Sequence, residues 1–426
     1  MSLIQRSLSA DLKAELENDK IILITGPRQA GKTTLLNELL KELQDKKQTV
    51  FFYNFDRIAD LEFFDKQQKI EAFLKIRSIK SRMYILIDEV QRKHNAGNFF
   101  KFFYDIGLNV KFIFSGSSSL EFTESFGDAL TGRKQVFALL PFSLSEIALS
   151  RLGEEFNYAK QGDPLALRSF SEMVDEALIW GTYPEVSKNE LTEKKLRALG
   201  ELYESYVQRD IKDLLKVKNV SGFNLLVKVL AHNIGQPLVI EELVRQTGLH
   251  ANTVNSYLDI LDGTLIIART ENFNPDYLDS LPKSRRFYFI DNGMRNYSLG
   301  QLQDGFRSDY TALASNLVYS ELRKALEYGH LGEKLGAQFN KSTIYHYQTY
   351  SDNHLDFVLQ STTTNKYLPI SVRYPDNNNK LGKKLHEFIN TMKPEKLIII
   401  TKDFAAEEEV KGTKVVFMPL ADFLLK

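Results

Sequence analysis

Cysteine is absent from the 426-residue chain. That removes disulfide bonds and thiolate zinc sites and fits a reducing compartment, so the cytoplasm is the expected location. Net charge is absent too: 55 Lys and Arg balance 55 Asp and Glu. No global field draws the chain toward nucleic acid or anionic lipid, and any such binding must use local patches. Apolar runs such as Leu397–Ile400 fall far short of the roughly 20 residues that cross a bilayer. The opening "MSLIQRSLSADLKAELENDK" carries charges every few residues where a signal peptide needs an apolar core, so no membrane insertion is expected. Internal repeats and low-complexity tracts are also missing, and "PDNNNK", Pro375–Lys380, reads as an exposed turn.

What remains is a globular composition, 43% hydrophobic and 26% charged, in a chain long enough for two to four folding units at about 150 residues each. Ile21–Thr25 is a short apolar run of the kind that forms a buried parallel strand. It leads straight into "GPRQAGKTT", and Leu35, Leu36, Leu39, Leu40 and Leu43 then recur at helical spacing. A glycine-bearing loop between a strand and a helix is a phosphate cradle. Its glycines let backbone N–H groups approach phosphate, and the helix N-terminus adds partial positive charge. Gly26, Pro27, Arg28, Gln29, Ala30, Gly31, Lys32, Thr33 and Thr34 are therefore the expected nucleotide-binding residues. Lys32 would reach the β and γ phosphates of ATP, and the Thr33 hydroxyl would take a position on Mg²⁺.

In "RMYILIDEVQ" a second apolar strand, Tyr84–Ile87, ends in adjacent acids. Asp88 would hold the magnesium and Glu89 would act as general base on the attacking water. Further strands are expected at Val50–Phe55, Val110–Ser115 and Gln135–Leu139, with helices at Ile70–Ile79 and Asn98–Ile106. The alternation implies an α/β fold with a mostly parallel sheet. Ser117, in the turn after Val110–Ser115, either senses the γ-phosphate or caps a following helix. Arg133, just before Gln135–Leu139, is either a finger that reaches a neighbouring subunit or a solvated arginine behind a glycine stop. No Asn-Lys-x-Asp segment for reading guanine is present, which speaks for ATP.

The second half reads as a helix-turn-helix of winged type. Phe223, Leu226, Val227 and Leu230 form one apolar face, "VIEELVRQTG" supplies a short helix with a glycine stop, and Val254, Tyr257, Leu258 and Leu261 form another face. Leu265–Ala268 and Arg286–Ile290 would be wing strands. The presumptive recognition helix, Ala251–Asp262, has no Lys or Arg and carries Asp259 and Asp262, so it offers nothing to DNA phosphates. Lys283, Arg285 and Arg286 could make a basic wing; the other reading is a packing or partner-binding module.

Taken in order, "GPRQAGKTTLL", "ILIDEVQ", "FSGSSSL", "LTGR", "LPFSLSEI", "GTYPEV", "YVQRDI" and "FYFIDNGMRN" resemble the landmarks of prokaryotic AAA+-type P-loop ATPases. In these a winged helix and a restriction-endonuclease-like domain of unknown function follow the ATPase. The resemblance implies an AAA+ core at 1–140 with its phosphate-loop strand central, a helical lid at 141–214, a winged helix at 215–292 and an endonuclease-like α/β domain at 293–426. It also implies nucleotide bound between subunits of a hexameric or heptameric ring or spiral, and Arg133 as a finger in trans. Arg209, in "YVQRDI", is a lid sensor or part of a salt bridge, and the role of Asp210 stays open. Where endonuclease-like relatives carry Glu, Asp and Glu-x-Lys, this chain has Ser315, Asp356, Ser371 and Arg373. One carboxylate with two hydroxyls is a poor Mg²⁺ site, so cutting is not expected unless a displaced acid such as Glu321 restores it. The expected function is Mg²⁺-dependent ATP hydrolysis by a homo-oligomer, coupled to movement of the C-terminal module, with a DNA or protein client. The alternatives are a nucleotide-gated binding switch with little turnover, and a nuclease with a displaced site.

Overall fold

The computed structural model describes residues 4–79, 81–116, 126, 128–206, 219–273, 285–303, 307–349, 354–377 and 379–425. They form two compact units, Gln5–Pro141 with 263–265, and Phe142–Asp262 with Ile266–Lys426. The segments expected as lid, winged helix and endonuclease-like domain thus share one unit.

The first unit is a three-layer α/β structure. Its strands β1 (Ile21–Thr25), β2 (Thr49–Asn54), β3 (Met83–Asp88), β4 (Val110–Ser115) and β5 (Lys134–Ala138) form one sheet in the order β2-β3-β4-β1-β5. All its pairings are parallel. The expected central position of the phosphate-loop strand needs correction. The middle strand is β4, and β1 lies between β4 and the edge strand β5. Every residue of β1, β3 and β4 is buried, as strands covered on both faces must be. One face packs Ile21, Leu23, Ile85, Ile87, Phe112 and Phe114 against Phe64, Phe100 and Phe103, while helix Lys32–Asp45 lies on β3 and β4. The rings of Phe100 and Phe114 stand 4.4 Å apart between centroids. Fully burying such side chains stabilises by about 1.5–3 kcal/mol each. This core holds the C-terminal ends of the parallel strands at one sheet edge, where α/β proteins place ligands.

The second unit opens with helices Leu144–Leu152, Glu154–Lys160, Pro164–Trp180, Pro184–Ser187 and Thr192–Ser205. "LPFSLSEI" proves to be a capping box: Glu146 N donates to Ser143 Oγ at 3.1 Å, and Ser143 N to Glu146 Oε2 at 2.9 Å. "GTYPEV" and "IDNGMRN" meet. Thr182 N and Met294 N donate to the buried Asp291 carboxylate at 2.6 and 3.0 Å. A Cβ on Gly181 would stand 2.2 Å from Asp291 Oδ1, and one on Gly293 2.1 Å from the Trp180 carbonyl oxygen. These landmarks join a helix end to a strand end.

Next come helix Val220–His232, β6 (Pro237–Leu238), helices Ile240–Thr247 and Ala251–Gly263, β7 (Ile267–Thr270) and β8 (Arg285–Phe289). The strands form a small antiparallel sheet ordered β6-β8-β7. Arg269 on β7 pairs with Asp259 at 3.1 Å and Asp262 at 2.7 Å. One guanidinium is thereby shared by the two acids of helix Ala251–Gly263, which leaves the trio with one net negative charge.

Helices Asn292–Leu299 and Tyr310–Glu327 lead to a six-stranded sheet. Its strands are β9 (Ser342–Gln348), β10 (His354–Ser361), β11 (Tyr367–Val372), β12 (Lys396–Thr401), β13 (Ala406–Val410) and β14 (Thr413–Pro419), ordered β13-β14-β12-β11-β10-β9. The pairs β11–β12 and β12–β14 are parallel and the others antiparallel. Helix Lys383–Met392 makes the crossover from β11 to β12 and buries Leu385, Phe388 and Ile389 against the sheet. Among the described residues no helix is long and apolar enough to cross a membrane.

Candidate nucleotide site

The end of β1 delivers the chain into a loop that only glycine can begin. A Cβ on Gly26 would stand 2.2 Å from the Leu139 carbonyl oxygen, because Leu139 N closes onto Thr25 O at 2.7 Å as β5 runs alongside. Gln29 has a left-handed backbone (φ 57°), and Ala30, fully buried, donates its N–H to Pro27 O at 3.4 Å. Gly31, at φ 102°, forms the cap from which helix Lys32–Asp45 starts. No side chain caps that N-terminus, so its N–H groups remain the natural partners for an anion. Arg28 is half-buried, while Thr33 and Thr34 are exposed on the first turn.

Lys32 is buried, and its Nζ donates to Gly26 O and Pro27 O, both at 2.8 Å. The ammonium is thus held at the mouth of its own loop. Thr33 Oγ1 donates to Asp88 Oδ2 at 2.7 Å, which brings the loop and the acid strand into contact across 55 residues of sequence. Ser115 Oγ donates to the other oxygen, Asp88 Oδ1. Asp88 is 1% exposed, and these hydroxyls offset the desolvation of its carboxylate. A carboxylate and a hydroxyl side by side, next to a helix N-terminus and an ammonium, are the hard oxygen donors that suit Mg²⁺ beside phosphates.

Glu89 follows in a left-handed conformation (φ 54°) that turns the chain off the sheet. Burial pushes its carboxyl above the usual carboxylate range and the Asp88 charge adds to this; the Lys32 ammonium and a hydrogen bond from Gln91 Nε2 oppose it. A base with a raised pKa accepts protons well near neutral pH.

Arg133 precedes β5, whose register pairs Lys134 with Ile21 and Ala138 with Thr25. Arg133 therefore sits at the N-terminal edge of the sheet and the phosphate loop at the other. Its guanidinium bonds Asp105, with Nε to Oδ1 at 2.7 Å, and lies over the Tyr104 ring. Its own loop is a strand length away, about 13–17 Å. Ser117, Arg209, Asp210 and Lys283 lie outside the described residues.

Sequence spacing did not point to Arg6 or Gln91 as parts of this site, and it marked the turn from Ser115 to Ser118 without showing that Ser115 meets Asp88. Arg6, 5% exposed, donates from Nη1 to Ala30 O at 3.1 Å and from Nη2 to Leu140 O, tying the loop to the end of the neighbouring strand. The signal for Ser115 is the β3–β4 register, in which Ile87 pairs with Phe114. The residue after each then meets its counterpart.

In the second unit, Ser315 and Asp356 also come together: Ser315 Oγ donates to Asp356 Oδ1 at 3.4 Å and Val372 N to Asp356 Oδ2 at 2.7 Å. Glu321 is elsewhere engaged, buried in an ion pair with Lys324 at 2.8 Å and accepting Leu144 N at 3.1 Å. Among the described residues no cluster of three or more Asp, Glu or His side chains could hold a metal.

The first unit has an α/β fold of the AAA type, with a five-stranded parallel sheet. Residues 18–148 match the family model described as AAA domain, and residues 171–305 match one described as a domain of unknown function (DUF8612). Among curated proteins the chain is similar to uncharacterized proteins of Mycobacterium bovis and Mycobacterium tuberculosis. Each is 22% identical over 361 residues, covering 84% of this chain and 72% of the relative. Solved structures that align include AMPPCP-bound DnaA from Aquifex aeolicus (16% identity, 61% of this chain and 89% of that one). The replication initiator DnaA bound to AMPPCP and single-stranded DNA also aligns (19%, 62% and 89%). Both have a TM-score of 0.28, too low to establish a shared overall architecture.

Proposed function

We propose that this protein hydrolyses ATP with Mg²⁺, as a homo-oligomer in which nucleotide lies between subunits, and that turnover moves the C-terminal module. The observation that carries the reading is the 2.7 Å contact between Thr33 and Asp88. It sets a cation-lined loop against a buried carboxylate whose sequence neighbour is a second, proton-accepting one.

Thr33 and Asp88 would hold the Mg²⁺, which when bound neutralises charge on the terminal phosphates. Lys32 and the backbone N–H groups of Gly26 and residues 28–34 bind and orient the triphosphate. Glu89 takes the proton from water, and the Asp88 carboxylate beside it keeps its basicity high. Ser117 is assigned as the γ-phosphate sensor. Arg133 faces away from its own loop, which favours a role in trans: a neighbouring subunit would break its pair with Asp105 and place the guanidinium at the phosphates. Helix-strand-helix-helix-strand-strand order with a three-stranded sheet supports a winged helix in the second unit. The pairing of Asp259 and Asp262 with Arg269 favours packing over DNA reading by helix Ala251–Gly263.

The test is phosphate release by the full chain with Mg²⁺ and ATP, run beside Lys32→Ala and Glu89→Gln. Turnover that rises more than linearly with protein concentration and disappears in both variants is expected. A second reading rests on the Gln91 amide held against Glu89: a switch that binds nucleotide but turns it over slowly. Near-zero release at every concentration, with tight ATP binding, would select that reading.

A further inference from the structure

Residues of four helices in the second unit, Glu154–Lys160, Pro164–Trp180, Leu331–Leu335 and Leu420–Leu425, line a cavity of about 500 Å³. We infer that it receives an uncharged aldehyde with an apolar stem, which the Lys334 amine captures as an imine. This uses the second unit alone and stands whether or not the first unit binds nucleotide.

The surroundings of Lys334 carry the argument. It is half-buried on helix Leu331–Leu335. An ammonium has three donors, yet the described residues offer its Nζ a single, long hydrogen bond, to Leu424 O at 3.4 Å, and no ion pair. Its other partner is the Phe423 ring, 5.0 Å from Nζ to the centroid. Ala159, Leu167 and Leu425 add apolar surface to the same cavity. A cation held in this way is poorly compensated for the water it has lost. Burial accordingly lowers its pKa from 10.5 to about 8, although the Glu321 charge pulls the other way. At pH 7.5 about a quarter of such amines carry no proton, against about one in a thousand at the ordinary value. A neutral lysine amine in an apolar pocket is a nucleophile toward carbonyl carbon.

The wall also says what kind of carbonyl compound fits. Lys160 and Lys334 stand against Glu333 and Asp422, so the charges balance and no net field selects an ion. Lys160 lies over the Phe156 ring at 4.6 Å, and the Glu333 side chain is 79% exposed, 3.6 Å from His330 Nδ1. Their charged ends therefore leave the apolar surface beside the amine to a carbon stem. Nitrogen attacks the carbonyl carbon to give a carbinolamine. The C–O bond then breaks, the oxygen leaves as water with both amine protons, and a C=N bond remains. Addition of water reverses the step, and no oxidant or reductant is consumed.

The experiment treats the full chain with butanal at pH 7.5, reduces imines with cyanoborohydride, and follows butylation of each lysine by peptide mass spectrometry. Lys334 should be labelled at least about tenfold faster than the median lysine, because about two hundredfold more free amine outweighs its lower nucleophilicity. In guanidinium chloride, where the cavity is lost, the preference should disappear. Glyoxylate, an aldehyde with a charged end, should show a smaller preference for Lys334 than butanal does. Leu167→Asp puts a carboxylate on the wall, which favours the ammonium and should slow labelling of Lys334 by at least about threefold. If that variant fails to fold, the two wild-type comparisons decide. Labelling of Lys334 no faster than the median would overturn the inference, and so would a preference that survives denaturation. An equal preference with glyoxylate would overturn the uncharged ligand.

Discussion

Replacing Glu89 with glutamine keeps the size of the side chain and its contact with Gln91 while removing the proton acceptor. If Glu89 is the general base, phosphate release should fall by about 10²–10⁴-fold, which at 1.36 kcal/mol per factor of ten is about 2.7–5.4 kcal/mol of barrier. ATP affinity should change little, because Lys32 and the loop N–H groups stay in place. The pH dependence follows from the surroundings. The working form is the carboxylate, so kcat/KM falls tenfold per unit below its pKa. Burial and the neighbouring Asp88 charge raise that pKa above 4.5, so the acid limb should lie above 4.5. The Gln91 hydrogen bond stabilises the charged form, and Gln91→Ala should therefore move the limb to still higher pH. Initial rates of phosphate release at sub-saturating ATP, between about pH 4.5 and 8, read both effects. Glu89→Gln turnover within twofold of wild type, or a limb that moves to lower pH in Gln91→Ala, would refute the assignment of Glu89.

Arg6→Ala removes two carbonyl bonds from a buried guanidinium and should cost the first unit about 3 kcal/mol, with weaker ATP binding. Denaturant melts and nucleotide titration check it, and an unchanged melt would mean that Arg6 does not brace the loop. Gly181→Ala meets both a left-handed backbone and the Asp291 carboxylate 2.2 Å away. A loss of about 3 kcal/mol or more in the second unit is expected, visible as a lowered melting temperature or loss of soluble protein. Arg133→Ala gives up an exposed pair worth less than about 1 kcal/mol, yet turnover should drop by about 10³-fold. Adding Lys32→Ala subunits, whose own Arg133 is intact, should restore part of the rate. If the mixed sample stays inactive, the finger in trans is wrong.

Two strands, Ile21–Thr25 and Val110–Ser115, have the ends expected from the apolar runs alone, and β2, β3 and β5 differ by a residue at each end. The glycine loop was equally legible. These features are local: a strand buried on both faces reads as an unbroken apolar run, and a phosphate loop needs its glycines, lysine and hydroxyl at adjacent positions. Long-range partners were not legible, because periodicity reports which face of an element is buried and not what it is buried against. Only the fold puts β4 at the middle of the sheet, Ser115 on Asp88, Arg6 under the loop and Arg269 on the acids of helix Ala251–Gly263. It alone gathers Arg286, Asp356, Arg373 and Lys383 around one cavity, from a strand, a sheet and a helix N-terminus nearly a hundred residues apart. The sequence by itself determined the glycine loop between β1 and helix Lys32–Asp45 and the acid pair at the end of β3. The tertiary structure decided which charges in the second unit face one another, since that depends on strand order and crossovers rather than on spacing along the chain.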